Sequence, residues 1–300
     1  MLKSLEALCA AVETGSLSLA ADRLHLTQPA VSKQIRVLED ELGVQLLVRG
    51  ARGVELTPVG RHVHRMARRA VVAAEGCRRA AAAWKDPDHG RLVVAAGSTL
   101  TLFTLPPVIQ AFRTRVPGVR LDVVTGDSRE CLNLLLGFEA DVALVTSAFP
   151  HPEVQAIPLF TDPVVAAAAP GTALPATVAE MQGATLISFR GGSGLRQYVD
   201  QVLEARAVRP EVVMEFDSVE AIKTMVELGL GVALLPWSAV RADAAAGRLA
   251  AGPLRDWPDA GRTVTLLRRR AGLRAGPVAP FTAIAREVLR KSRPEGDTPS

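Results

Sequence analysis

The chain has 300 residues, 48% apolar, 22% charged and only 4% aromatic, with a net charge of +4. That is enough sequence for two to three domains with real cores, which excludes wholesale disorder, and no apolar run approaches the ~18–20 residues that cross a bilayer. Residues 1–83 carry 12 Lys and Arg against 8 Asp and Glu, whereas the remainder carries 23 of each. A basic head on a neutral body points to a polyanionic partner, and the scarcity of aromatics argues against a stacking platform for single strands. Glu6 and Glu13 interrupt the apolar stretch that a signal peptide needs, so a cytoplasmic location is expected. The scattered Cys9, Cys77 and Cys131 fit a reducing compartment.

Leu2, Leu5, Leu8, Cys9 and Val12 recur at helical spacing and Gly15 follows, which predicts a first helix ending near Thr14. Ser16 or Ser18 caps a short second helix over Leu19–Leu24, whose Ala20-Ala21 pair admits a close neighbour. Thr27 as N-cap and Pro29 in the first turn open a third helix, buried along Val31, Ile35, Leu38 and Leu42 and closed by Gly43. Pro29, Ser32, Lys33 and Arg36 project from the opposite side, with Gln28 at the exposed N-terminal end. Short polar and basic groups there suit a reader of the DNA major groove, with Arg36 and the helix end on phosphates. An ordinary solvated face would look the same. Val44–Val48 and Val54–Leu56 then read as strands around the basic turn 49–53, a wing with Arg52 at its tip. Thr57-Pro58 starts another helix.

Ala20-Ala21-Asp22-Arg23-Leu24-His25-Leu26-Thr27-Gln28-Pro29-Ala30-Val31-Ser32-Lys33-Gln34-Ile35-Arg36-Val37-Leu38-Glu39 closely resembles the winged helix-turn-helix signature of LysR-type transcriptional regulators. Glu41–Arg49 and Leu56–Gly60 continue the match in register. The resemblance implies double-stranded DNA as partner, a promoter site with two-fold symmetry. It places Gln28, Pro29, Ser32 and Lys33 on the major groove and Arg52 on the minor; Thr27 and Arg36 complete the candidate set.

Val63, Met66, Ala70, Ala73, Cys77, Ala80 and Trp84 follow at a strict 3-4 alternation, a heptad seam of three repeats. A helix packed on its own domain is the plain alternative; the resemblance implies a dimerisation helix. It further implies a homodimer assembling to a homotetramer, with RNA polymerase as a candidate partner. The turn-rich 86–90 is a hinge.

Beyond the hinge, strands and helices alternate, which predicts an α/β body with mostly parallel sheets. Two such units with crossovers near residues 158–165 and 260–267 resemble the periplasmic-binding-protein-like effector domain of the same regulators. The carrying segments are Leu105-Pro106-Pro107, Asp141–Val145 and Glu227–Pro236. The expected organisation is a head over 1–58, a linker helix over 59–85, a hinge over 86–90 and an effector domain over 91–300. Subdomain I takes about 91–160 and 266–293, subdomain II about 161–265.

A ligand in such sheets lies at the carboxyl ends of strands, between the units. Ser98, Thr99, Ser128, Thr146, Ser193 and Gly194 stand there as candidates, suiting a small organic anion or neutral metabolite. Relatives often carry a hydroxyl where this chain has Leu195. No catalytic residues, metal or cofactor are expected: His62 and His64 diverge on a helix, and 191–195 lacks the last glycine of a nucleophile elbow. The rival readings are a redox-responsive or architectural DNA-binding protein without effector, and a cytoplasmic solute-binding protein.

Overall fold

Helices α1 (Leu2–Thr14), α2 (Leu17–Leu24) and α3 (Gln28–Leu42) open the chain. The structure is a computed structural model describing residues 1–50, 53–85, 90–147, 150–191, 193–257, 262–270 and 276–291. These divide into two units, Met1–Ala82 with Gly137–Glu139, and the remainder.

In the first unit, Ala20 and Ala21 are buried beside Leu8, Val31, Ile35 and Leu38, so small residues let three helices close on one core. Ser16 caps α2, its hydroxyl accepting the Leu19 N–H at 3.5 Å. Thr27 is the N-cap residue of α3, although its side chain makes no capping bond. Leu42, expected on the buried face, is 41% exposed. It lies in the last turn, where Gly43 (φ 68°) reverses the chain. Glu39 makes the connection instead, its carboxylate accepting the N–H groups of Leu46 and Leu47 at 2.7 and 3.1 Å. Those bonds divert backbone donors from a ladder, so β1 spans Leu47–Gly50 and not the expected 44–48. It pairs antiparallel with β2 (Gly53–Leu56). Arg52 lies outside the described residues.

Helix α4 spans Pro58–Lys85, and Val63, Ala67 and Val71 pack on the head's core. Val63 is therefore shared with the head, while Met66, Ala70 and Cys77 stay exposed and Ala73 half-buried. Ala80 and Trp84 continue the helix, their side chains outside the described set.

The second unit holds two layered sheets. The larger has the order β4 (Val119–Thr125), β3 (Gly90–Ala96), β5 (Val142–Val145), β12 (Arg262–Arg269), β6 (Val154–Asp162). β4, β3 and β5 are parallel, whereas β12 runs antiparallel to both its neighbours. The sequence had left β6 as a crossover. Leu92, Val94 and Ala96 face one core with Phe112 and Phe281, whose rings meet edge-on at 5.4 Å; Val93 and Ala95 face another with Cys131 and Leu135. Burial on both faces explains why β3 reads as an unbroken apolar run. The helices are α5 (Ser98–Phe103), α6 (Leu105–Arg115), α7 (Ser128–Leu136) and α11 (Val278–Lys291).

The second layer comprises β7 (Val164–Ala168) between β10 (Ala233–Pro236) and β11 (Ala250–Gly252), both antiparallel, and the parallel pair β8 (Thr185–Phe189) and β9 (Glu211–Phe216). A parallel bridge between Leu186 and Val232 joins them. Helices α8 (Gly194–Glu204), α9 (Val219–Glu227) and α10 (Trp237–Ala245) complete it. The expectation of mostly parallel pairing is corrected here. The strands that carry the chain back between the layers enter antiparallel, so parallel pairing is confined to β4-β3-β5 and β8-β9.

Candidate functional site

The outer face of α3 presents Pro29, Lys33 and Arg36 exposed, with Gln28 and Ser32 half-buried and Thr27 exposed at its start. Among the described residues, none of these side chains is committed to a hydrogen bond or ion pair. By contrast Gln34, on the flank, accepts the Ser4 hydroxyl at 2.9 Å and is structural. The face is thus held rigidly from behind by Val31, Ile35 and Leu38 and left chemically free in front. Two cations and two neutral polar groups over about two and a half turns match what base edges and phosphates require.

In the body, β3, β4 and β5 run in one direction, so their carboxyl ends share an edge. The Gly97 N–H donates to Leu144 O at 3.3 Å and the Gly126 N–H to Ala96 O at 3.1 Å, which draws the three exits together. Ser98 and Thr99 leave from β3, Ser128 from β4 and Thr146 from β5. Ser98 is exposed; Thr99, Ser128 and Thr146 are half-buried. The cap of α7 is Asp127, whose carboxylate accepts the N–H groups of Arg129 and Glu130 at 2.7 and 2.8 Å. The Ser128 hydroxyl is therefore not spent on capping. On the second layer Ser193 caps α8, accepting the Arg196 N–H at 3.1 Å, and Gly194 opens that helix. No side-chain bond among the described residues links these groups to one another.

The residue that sequence reasoning missed is Arg262. β12 pairs Thr265 with Val145, so its start lies beside the exit of β5. The Arg262 guanidinium, 7% exposed, donates to Thr146 Oγ1 at 3.0 Å. Burial pulls it below the usual arginine range, against the attraction of Asp162 and Tyr198. Asp162 is its partner in register on β6 but accepts the Ser238 hydroxyl at 2.6 Å and N–H at 3.1 Å. Burial raises the Asp162 carboxyl despite those bonds. An arginine heading the apolar run 263–267 was the available signal.

A separate open groove of about 420 Å³ is lined by Phe103, Thr104, Phe160, Asp162, Trp237 and Arg241, among others, and takes in none of the expected effector residues. Cys131 is buried, and desolvation, chiefly, pushes its thiol up to about 11, which leaves it protonated and unreactive at neutral pH. Among the described residues no three His, Cys, Asp or Glu form a metal cage, and no helix is long and apolar enough to cross a membrane.

Residues 2–61 match the family model for bacterial regulatory helix-turn-helix proteins of the lysR family, and residues 85–290 match that of the LysR substrate binding domain. The HTH-type transcriptional regulator SsuR of Burkholderia cenocepacia is 33% identical over 226 residues, 73% of each chain. Among solved structures, a full-length OxyR variant from Pseudomonas aeruginosa is 28% identical, with TM-score 0.71, covering 97% of this chain and 94% of that one. Full-length CbnR in complex with its target DNA shares the fold, at 21% identity and TM-score 0.68 over 97% and 100% of the two chains. The chain belongs to the LysR family of transcriptional regulators, a helix-turn-helix DNA-binding head followed by an effector-binding body.

Proposed function

We propose that two copies of this chain pair through α4 and read a two-fold symmetric promoter site with α3, while a small molecule between the layers of each body sets the geometry of the assembly. The observation that carries the reading is the uncommitted face of Gln28, Ser32, Lys33 and Arg36 on a helix anchored from behind. The DNA complex of CbnR supports duplex DNA as the partner. In this reading residues 1–58 bind DNA, 59–85 pair the chains, 86–90 connect, and 91–300 sense the ligand. Dimers join as a tetramer that meets RNA polymerase, and the protein works by binding, without a catalytic step. Ligand binding shifts the population between two arrangements that bend the site differently.

Fluorescence anisotropy on the chain's own upstream region tests this. Affinity should fall steeply with salt, as release of counterions from phosphates requires. Lys33→Ala and Ser32→Ala should each cost about 1–3 kcal/mol at the specific site and relax sequence choice. Equal losses on random duplex would reassign both side chains to phosphates, and absence of duplex binding would end the reading.

The exposed stripe Met66–Ala70–Cys77 with Ala73 beside it gives the pairing test. A charge at a close-packed seam is left buried and unpaired in the dimer. Ala70→Glu should therefore yield monomers by light scattering at micromolar concentration, with the helical content of the head unchanged. A dimer that survives this change moves the interface off the stripe.

A further inference from the structure

Two arginines stand at the junction of the layers, and they differ in how fully they are used. Arg196 is saturated: it donates to Asp200 at 2.7 Å, to Glu215 at 2.6 Å and to the Phe189 carbonyl at 3.0 Å. Arg262 is more deeply buried yet makes one bond, to Thr146. Of five N–H donors in a planar fork, the others find no acceptor among the described residues. The nearest carboxylate, Asp162, is turned to Ser238. A guanidinium taken out of water without an anion is costly, so the arrangement is incomplete as it stands.

A second orphan lies within electrostatic reach. The Tyr198 hydroxyl on α8 is buried and has no hydrogen-bond partner, and its ring packs edge-on against Trp257 at 6.1 Å between centroids. Tyr198 is among the groups whose charge acts on Arg262. Thr146 belongs to the first layer, Tyr198 to the second, and Arg262 heads the strand that returns the chain from the second layer to the first. Cationic fork, hydroxyl and phenol together present donors to one acceptor-rich group.

We infer that Arg262, Thr146 and Tyr198 form the recognition site for the oxyanion group of a small anionic ligand, a carboxylate or a sulfate, which bridges the two layers. The inference rests on the body being an effector-binding domain and adds the charge of what it binds. An oxyanion accepts two parallel bonds from the guanidinium, a geometry that a neutral amide cannot supply. It also gives the Tyr198 hydroxyl its missing acceptor. Because the donors come from both layers, occupancy favours the arrangement in which the layers are held together, as a ligand with differential affinity must.

The test is calorimetric titration of the full chain with sulfate, benzoate and neutral benzamide at constant ionic strength, with duplex binding measured on the same preparations. Sulfate or benzoate should bind in the millimolar range or tighter, and benzamide should not. Preference for sulfate assigns an inorganic oxyanion; preference for benzoate assigns a carboxylic acid. Arg262→Gln should weaken the preferred anion about 10- to 100-fold. Tyr198→Phe keeps the ring and the fold and should weaken it several-fold, which keeps the inference testable if the Arg262 variant does not fold. Benzamide binding as well as benzoate, anion binding indifferent to both substitutions, or no anion binding by a chain that still binds duplex would each overturn it. Loss of duplex binding in the unsubstituted chain would instead strike the regulator reading.

Discussion

Replacing Gly60 by alanine should destabilise the DNA-binding head by about 3 kcal/mol or more, at the upper end of what forced overpacking costs. Gly60 lies in the first turn of α4, where alanine is ordinarily preferred over glycine by about 1 kcal/mol. Here a Cβ would stand 2.1 Å from the backbone oxygen of Leu46, an atom with nowhere to go. That carbonyl accepts the Thr57 N–H at 3.0 Å and the Thr57 hydroxyl at 3.3 Å, while the same hydroxyl accepts the Gly60 N–H at 2.9 Å. The linker helix is thus seated on the start of the wing by contact that only a missing side chain permits. Clash outweighs propensity. A head of about sixty residues has little stability to spare, so Gly60→Ala should lose duplex binding and lower the melting transition. Thr57→Ala, which removes only a cap, should cost about 1 kcal/mol. Equal effects of the two, or none from Gly60→Ala, would show that α4 can lift off the wing cheaply.

The head was legible because its signals are local. The Ser16 and Thr27 positions, Pro29 and Gly43 mark helix ends within a turn of where they act, and Val31, Ile35 and Leu38 report the buried face through a single period. Leu42 carried the same period yet is exposed, since periodicity ignores where the partner stops. What escaped in the body depends on distant pairing. β6 alternates poorly because Pro158 sits in it and its register against β12 shifts between Val264 and Thr265. It is a strand only because β12 runs beside it. Helices α5 and α10 are short and lack distinct caps.

The same distinction separates the two halves of the site. The DNA face is a surface of one helix and could be read from spacing alone. The body's hydroxyls were found because strand ends are recognisable, but Arg262 meets Thr146 across 116 residues, through the β5–β12 register. An arginine bordering an apolar strand reads as a surface charge until the neighbour that buries it is known.

The second large effect belongs to a buried charge pair that neither reading frame exposes. Lys223 on α9 donates to Asp243 on α10 at 2.7 Å, with side chains only 10% and 11% exposed. Lys223 also donates to the Ala239 carbonyl at 3.3 Å and lies 5.1 Å from the centre of the Phe103 ring on α5; Arg248 closes on the other oxygen of Asp243. Removing one member strands the other. Asp243→Ala should therefore cost about 3–5 kcal/mol, whereas Lys223→Met with Asp243→Leu should come back to near neutral. Burial alone would raise the Asp243 carboxyl, but the bonds from Lys223 and Arg248 prevail and hold it below the usual range. Its contribution is present above the unfolded value near 3.9 and is lost as pH falls through the lower folded value. Burial likewise lowers Lys223, yet Asp243 and Glu220 prevail and raise it. That contribution holds below the unfolded value near 10.4 and is lost as pH rises through the folded one. The pair should thus stabilise the body between about pH 4 and 10, and Asp243→Asn should flatten the acid limb of its stability profile. A single-substitution loss below 1 kcal/mol, or an acid limb unchanged in Asp243→Asn, would mean that solvent reaches the pair and screens it.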